Sequence, residues 1–516
     1  MKNFKIYTLI LVSACIAFSC DEEDKLITDI LTENPLPVPT GDPGELDLST
    51  YVAIGNSLTA GFQDNALYTD GQINAFPAYL TTQFSAQGVG GGDYVYPDIN
   101  SENGYSGTDG TNLFGKYILN ITELGIEISA GENNIGLRAT EDEIEALTNF
   151  GVPGATISDL DDASFANPYF LRFSSNPLNV SILDDVVARN PTFISLWIGS
   201  NDYLGYALGG AASGAPTDVA TFQTMFTNHM TKLAGTGAKG VVLNLPPVTL
   251  IPYFRAVPYN AVPLTDQSDV DDLNAATAFG GYNAALDGIA AMDPNFSQED
   301  ADERKVTYSL GANPVLIKDT DLVDLTTTLA GINPALALYG QTRQANENDL
   351  ILLPASTLIG TDAEGLPDVP IGVANPLGDE YVLTFSEQVE VITARATFNG
   401  VISAVLANSA FSNFKLVDIQ PFFADAFGLS AAQATALALT SDAIAAADGV
   451  LGIEYQGFDY SPDFTPNGLW SNDGVHPNPR GHAIVANEII ETMNETWSAD
   501  IPTVTVNQKR ASPFTQ

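Results

Sequence analysis

Ser57 stands in the run GNSLTAG at 55–61, straight after the apolar stretch TYVAIG at 50–55. A serine flanked by glycines, at the end of a strand and the start of a helix, sits at the carboxyl edge of a parallel sheet, where α/β proteins place their active sites. Ser57 is therefore a candidate nucleophile, although taken alone a serine there would serve equally well as a helix cap. The far end of the chain supplies partners for it. In SNDGVHPNPRGH at 471–482, Asp473 and His476 are three residues apart with Gly474 between them. Gly474 lets the chain turn, so that the carboxylate reaches one imidazole nitrogen while the other faces outward to a nucleophile, as a serine–histidine–acid triad requires. The chain has three histidines. His229 lies in a helical stretch among Phe226, Met230 and Leu233 and reads as a packed or surface residue, and His482, at the start of the last helix, reads as structural.

Such residues suit ester hydrolysis, which needs an activated hydroxyl, a base and hydrogen-bond donors where charge develops on the carbonyl oxygen. Other chemistries lack their markers. There is no HExxH, no Walker loop, and no cysteine after Cys20 for a thiolate metal site, so neither metal nor cofactor is expected. GVGGGDY at 88–94 lacks the third glycine of a dinucleotide fingerprint and reads as an irregular loop. DINSENG at 98–104 hints at a calcium loop, but its glycine falls one place too late. Paired carboxylates for glycoside cleavage stay open, because 63 acidic residues make any pairing unreadable.

Four blocks in order resemble the GDSL, or SGNH, hydrolase family: GNSL at 55–58, NFGVPGAT at 149–156, GSND at 199–202 and DGVH at 473–476. The resemblance implies a lipolytic, esterase-like enzyme on a flavodoxin-like three-layer α/β sandwich with a central parallel sheet. By it Ser57 is the nucleophile, the Ser57 amide with Gly154 and Asn201 forms the oxyanion hole, Asp473 orients, and His476 is the general base. Asn56 replaces the aspartate usual before the nucleophile. The order G-x-S-x-T, with the acid beside the histidine, argues against a lipase-type nucleophile elbow. An ester of a lipid acyl chain or an acetylated glycan is the expected substrate. A second reading is a non-catalytic surface lipoprotein binding glycan or lipid on a hydrolase scaffold; the presence of all four blocks speaks against it.

The elements that must position these blocks alternate between short β-rich runs and helical stretches, the mark of βαβ units. Strands are expected at 50–55, 191–199, 239–246 and 414–420, and helices at 182–190, 219–235, 386–408 and 481–497. Residues 250–383 break the rhythm and read as an insertion within a hydrolase domain spanning 47–500, with a helix at 282–292 and a strand at 313–319. A C-terminal tail follows at 501–516. LSAAQATALALTSDAIAAADG at 429–449 reads either as an amphipathic lid over acyl chains or as a core helix.

With 45% hydrophobic residues among 516, the chain can bury a large core, and a net charge of −44 repels nucleic acid. At the N-terminus, Lys2 and Lys5 precede the apolar run Ile6 to Ser19, which is short for a membrane span and reads as a secretion signal. Cys20, followed by Asp21, Glu22, Glu23 and Asp24, resembles the lipidated cysteine of bacterial lipoproteins. Cys15 fits that pattern too, but cleavage there would leave a very short apolar core and an apolar mature end. A plain secretory signal is the other alternative. Residues 20–46, acidic and then rich in proline, read as a tether, so the expected place is the cell envelope: exported and lipid-anchored at the outer membrane, on its surface or periplasmic face.

Overall fold

The computed structural model describes residues 39–122, 125–427 and 452–515. The signal, Cys15, Cys20, most of the tether and the segment 429–449 lie outside the described residues.

Five parallel strands form the central sheet: β1 (Tyr51–Gly55), β2 (Asn149–Gly151), β3 (Phe193–Trp197), β4 (Lys239–Leu243) and β5 (Phe414–Val417), in the order β5-β4-β3-β1-β2. Every residue of β1 and β3 is buried, which is why both read as unbroken apolar runs: helices cover a parallel sheet on both faces. Among the helices around it are α1 (Ser57–Ala60), α2 (Ile182–Ala188), α3 (Asn201–Leu208), α4 (Val219–Ala234), α5 (Phe385–Leu406) and α6 (Pro479–Trp497). On α4, Phe222, Phe226, Met230 and Leu233 make one buried stripe at helical spacing, and Asp218 caps it by accepting from the Thr221 amide. Asn478 caps α6, with Pro479 in the first turn. By length and composition α5 is apolar enough to cross a membrane. Instead it flanks the sheet, with Val391, Phe398, Ile402 and Val405 buried and Phe398 stacked on Phe222 at 4.2 Å.

From β1 the chain passes to β2 on one side and then returns across to β3 on the other. The switch point of the sheet is therefore at β1, so the crevice at its carboxyl end opens beside Ser57.

Three features depart from the sequence expectations. β2 was not expected as a strand; it is three residues long and lies inside the second block. The stretch before it forms a small outer sheet: Leu113–Asn120 pairs antiparallel with Gly125–Ala130, and Phe514–Thr515 pairs parallel with Leu119 and Asn120. The stretch read as a C-terminal tail is thus packed, with Ile501, Val504 and Val506 buried as well. At the other end, Asp42 exchanges backbone hydrogen bonds with Asp500, so the last residues of the tether are fastened to the sandwich.

Between β4 and α5 lies a unit with its own apolar cluster, running from Val257 to Val382 and including Phe279, Tyr282, Leu316 and Leu329. It holds helices at Gln267–Asn274, Phe279–Met292, Gln298–Arg304 and Thr326–Ile332, and strand pairs only two to five residues long.

Candidate active site

β1 ends at Gly55, and Asn56 caps α1, its Oδ1 accepting from the Leu58 amide at 3.1 Å. Ser57 is the first residue of that helix, so the capping role that would have accounted for it belongs to its neighbour. The cap requires only an acceptor oxygen, which asparagine supplies as well as aspartate.

Ser57 Oγ lies 2.9 Å from His476 Nε2, and His476 Nδ1 lies 2.9 Å from Asp473 Oδ2. Asp473 Oδ1 accepts from the amides of Val475 and His476 and from Ser471 Oγ, and Oδ2 accepts from the Asn65 amide at 3.0 Å. Burial works against the ionised carboxyl. Electrostatic attraction to the His476 ring and the hydrogen bonds from His476 and Asn65 outweigh it and hold Asp473 down at about 2. An ionised Asp473 can only accept, so Nδ1 carries the proton and Nε2 is left to accept from the serine. Gly474 makes the turn at φ +70°, where a Cβ would stand 2.9 Å from the Tyr253 nitrogen.

Sequence reasoning missed the residues that hold this loop. Asp64 and Asn65 are consecutive at φ 52° and 61°, a left-handed conformation that aspartate and asparagine tolerate better than other side chains. The Asp64 amide donates to Ser471 Oγ, and its carboxylate accepts from the Asn472 amide and from the Tyr68 hydroxyl, both at 2.7 Å. The turn thus grips the acid loop from Ser471 to Asp473. Burial pushes the Asp64 carboxyl up to about 7. A DN pair favours such a turn, but its partners lie some 400 residues away.

Gly154 adopts φ +83° in the loop after β2. Asn201 opens α3, and its Nδ2 donates to Ala155 O at 2.8 Å, which leaves its second amide hydrogen without a partner among the described residues. The amides of Ser57 and Gly154 make no hydrogen bond among the described residues. Asp202, also missed, ties the same loop again: one carboxylate oxygen accepts from the Ile157 amide and the other from Thr217 Oγ1. Burial pushes Asp202 up to about 6.

Over Ser57 and His476 opens a groove of about 680 Å³. Its walls include Tyr117, Ile126 and Ile128 of the outer sheet, Leu204 and Leu208 of α3, and Tyr253, Leu353, Ser356 and Thr357 from the start and the later part of the insertion. Phe62 packs against the His476 ring at 5.1 Å.

His229 and His482 are both buried, with no hydrogen-bond partner on either ring nitrogen among the described residues. Burial pushes them down to about 4 and about 3, so both are neutral core residues. Asp98, in the stretch that hinted at a calcium loop, spends one carboxylate oxygen on Thr69 Oγ1 and the Asn100 amide. Among the described residues no group of three or more His, Cys, Asp or Glu is placed to hold a metal ion.

A helix-flanked parallel sheet that brings a serine, an imidazole and a carboxylate together at its switch point defines an α/β hydrolase scaffold of the flavodoxin-like kind. The chain belongs to the GDSL-like lipase/acylhydrolase family: that family's model matches residues 51–308, half of its length. It is accordingly a hydrolase acting on esters. The matched segment carries Ser57, Gly154 and Asn201 and stops well before Asp473 and His476. No curated protein matches the sequence.

Proposed function

We propose that this hydrolase cleaves its ester by acyl transfer through Ser57, with His476 as general base, Asp473 as its orienting acid, and the amides of Ser57 and Gly154 with Asn201 Nδ2 as the oxyanion hole. The observation that carries the reading is the unbroken series from Ser57 Oγ through both nitrogens of His476 to Asp473 at the floor of a groove. His476 Nε2 takes the serine proton as Oγ bonds to the carbonyl carbon, and gives that proton to the alcohol oxygen as the carbon–oxygen ester bond breaks. Water then repeats the sequence in reverse roles, releasing the acid and restoring Ser57. Neither metal nor cofactor is needed for these steps. Turnover of aryl esters, measured for the wild type and for Ser57→Ala, tests the assignment. Loss of about 10⁴-fold or more in kcat is expected, and retained turnover would overturn it.

The protein acts, on this proposal, at the cell envelope, exported and held to the outer membrane by lipid on Cys20. The support is the basic, then apolar, N-terminal run ending at Cys20 and the acidic, proline-containing segment after it. Cys20→Ser should move the protein from the membrane fraction to the soluble fraction; a membrane-bound variant, or a mature chain starting at Cys15, would contradict the assignment.

A further inference from the structure

A second, smaller cavity of about 40 Å³ lies on the β4 side of Ser57. It shares Ser57, Asn201, Leu204, Val475 and His476 with the groove, so the two spaces meet at the reacting atoms. Their linings differ. The groove is rimmed by exposed residues such as Ile128, Pro354 and Ser356, whereas the small cavity is walled by the buried Trp197, Val248, Ile251, Phe423 and Trp470. Ser200, which also lines it, keeps a buried hydroxyl with no partner among the described residues, which marks a space that a guest fills.

We infer that this cavity is the acyl subsite, and that the enzyme removes short acyl groups, of about two to four carbons, from a bulky alcohol lying in the groove. The inference rests on the acyl-transfer reading above. In that sequence the alcohol leaves first, and water must then reach the same carbon from the place the alcohol vacated, beside His476. The leaving side must therefore be open to solvent, and the groove is the open side. The acyl group stays on Ser57 through both halves of the reaction and suits the space lined by buried residues. About 40 Å³ holds roughly three water-sized spheres, which is room for an acetyl to butyryl tail. Val248 and Ile251 line it on the β4 side, and Leu204 lines both it and the groove.

The test is kcat/KM on p-nitrophenyl acetate, butyrate, octanoate and dodecanoate, for wild type, Val248→Phe and Ile251→Ala. Wild type should favour acetate and butyrate over octanoate by at least about tenfold, since one or more methylenes that do not fit cost that much. Val248→Phe should lose about tenfold on butyrate relative to acetate, and Ile251→Ala should shift the preference toward longer chains. Melting curves identify any variant that fails to fold, and Ile251→Ala keeps the test alive if Val248→Phe does. A wild type that prefers octanoate or dodecanoate, with turnover still lost in Ser57→Ala, would overturn the acyl subsite alone. If no ester of any length depends on Ser57, the acyl-transfer reading falls and the subsite with it.

Discussion

The sandwich and the insertion between β4 and α5 are built by different rules, and they meet at one groove. The sandwich rests on parallel strands that are largely buried, β1 and β3 completely, and all the residues proposed to do chemistry hang from its carboxyl edge. The insertion has strand pairs of two to five residues and adds buried charge to its own apolar cluster: Arg343 makes a two-pronged pair with Asp349 at 2.6 and 2.8 Å and another bond to Asp319 at 2.6 Å, all nearly inaccessible to water. It contributes Tyr253, Leu353, Ser356 and Thr357 to the groove and none of the proposed triad. On the proposed roles, bond breaking belongs to the sandwich, and the shape of what is admitted belongs in part to the insertion.

That division can be broken most severely at the acid. Asp473→Asn keeps one acceptor oxygen for the loop but sets an amide nitrogen against the Asn65 amide and lets the imidazole take the wrong tautomer; kcat should fall by about 10⁴-fold, measured below a somewhat lowered melting temperature. A rise in KM with kcat unchanged would show that Asp473 does not act on the chemistry. In the insertion, Arg343→Met strands two buried carboxylates and should destabilise that unit by about 3–5 kcal/mol, read as a lower or split denaturation transition. Below that transition, kcat on a small aryl ester should hold within a few-fold; a collapse comparable to that of Asp473→Asn would mean that the insertion shares in the chemistry. Asn201→Ala, back on the sandwich, should cost about 10²–10³ in kcat, the usual loss of one oxyanion donor.

The smallest expected effect is on stability against pH. The carboxyls of Asp64 and Asp202, raised to about 7 and about 6 by burial, bind protons more tightly in the folded chain than in the unfolded one. Their contribution is full below the ordinary carboxylate range and is lost as pH rises through 6 to 7. The melting temperature should accordingly climb when pH is lowered from 8 to 5, and Asp64→Asn should flatten part of the climb. A flat profile in the wild type would remove the burial argument for both residues.

The same contrast explains what could be read in the sequence. The four expected strands of the central sheet appear within a few residues of their predicted bounds: β1 and β3, buried on both faces, are unbroken apolar runs, and β4 and β5 are short β-rich runs interrupted only by Lys239 and Lys415. The family's blocks were visible because Ser57, Gly154, Asn201 and the Asp473–His476 pair each sit in short motifs at the ends of such elements. β2 escaped notice because three residues give no periodicity, and the outer sheet because Gly125–Ala130 is largely exposed and Phe514–Thr515 is too short. The grip of Asp64 and Asn65 on the acid loop joins residues about 400 positions apart, and no local pattern announces it. The insertion was legible only as an interruption, since its core is assembled from scattered short pieces.

The central claim is that Ser57 is a nucleophile made reactive by His476. Labelling with a fluorophosphonate, followed by mass spectrometry of the modified peptide, tests it most directly. The adduct should lie on Ser57, in the peptide from Tyr51 to Phe62, and His476→Ala should abolish it in a protein that melts like the wild type. An adduct on another serine, or labelling undiminished in His476→Ala, would contradict the claim.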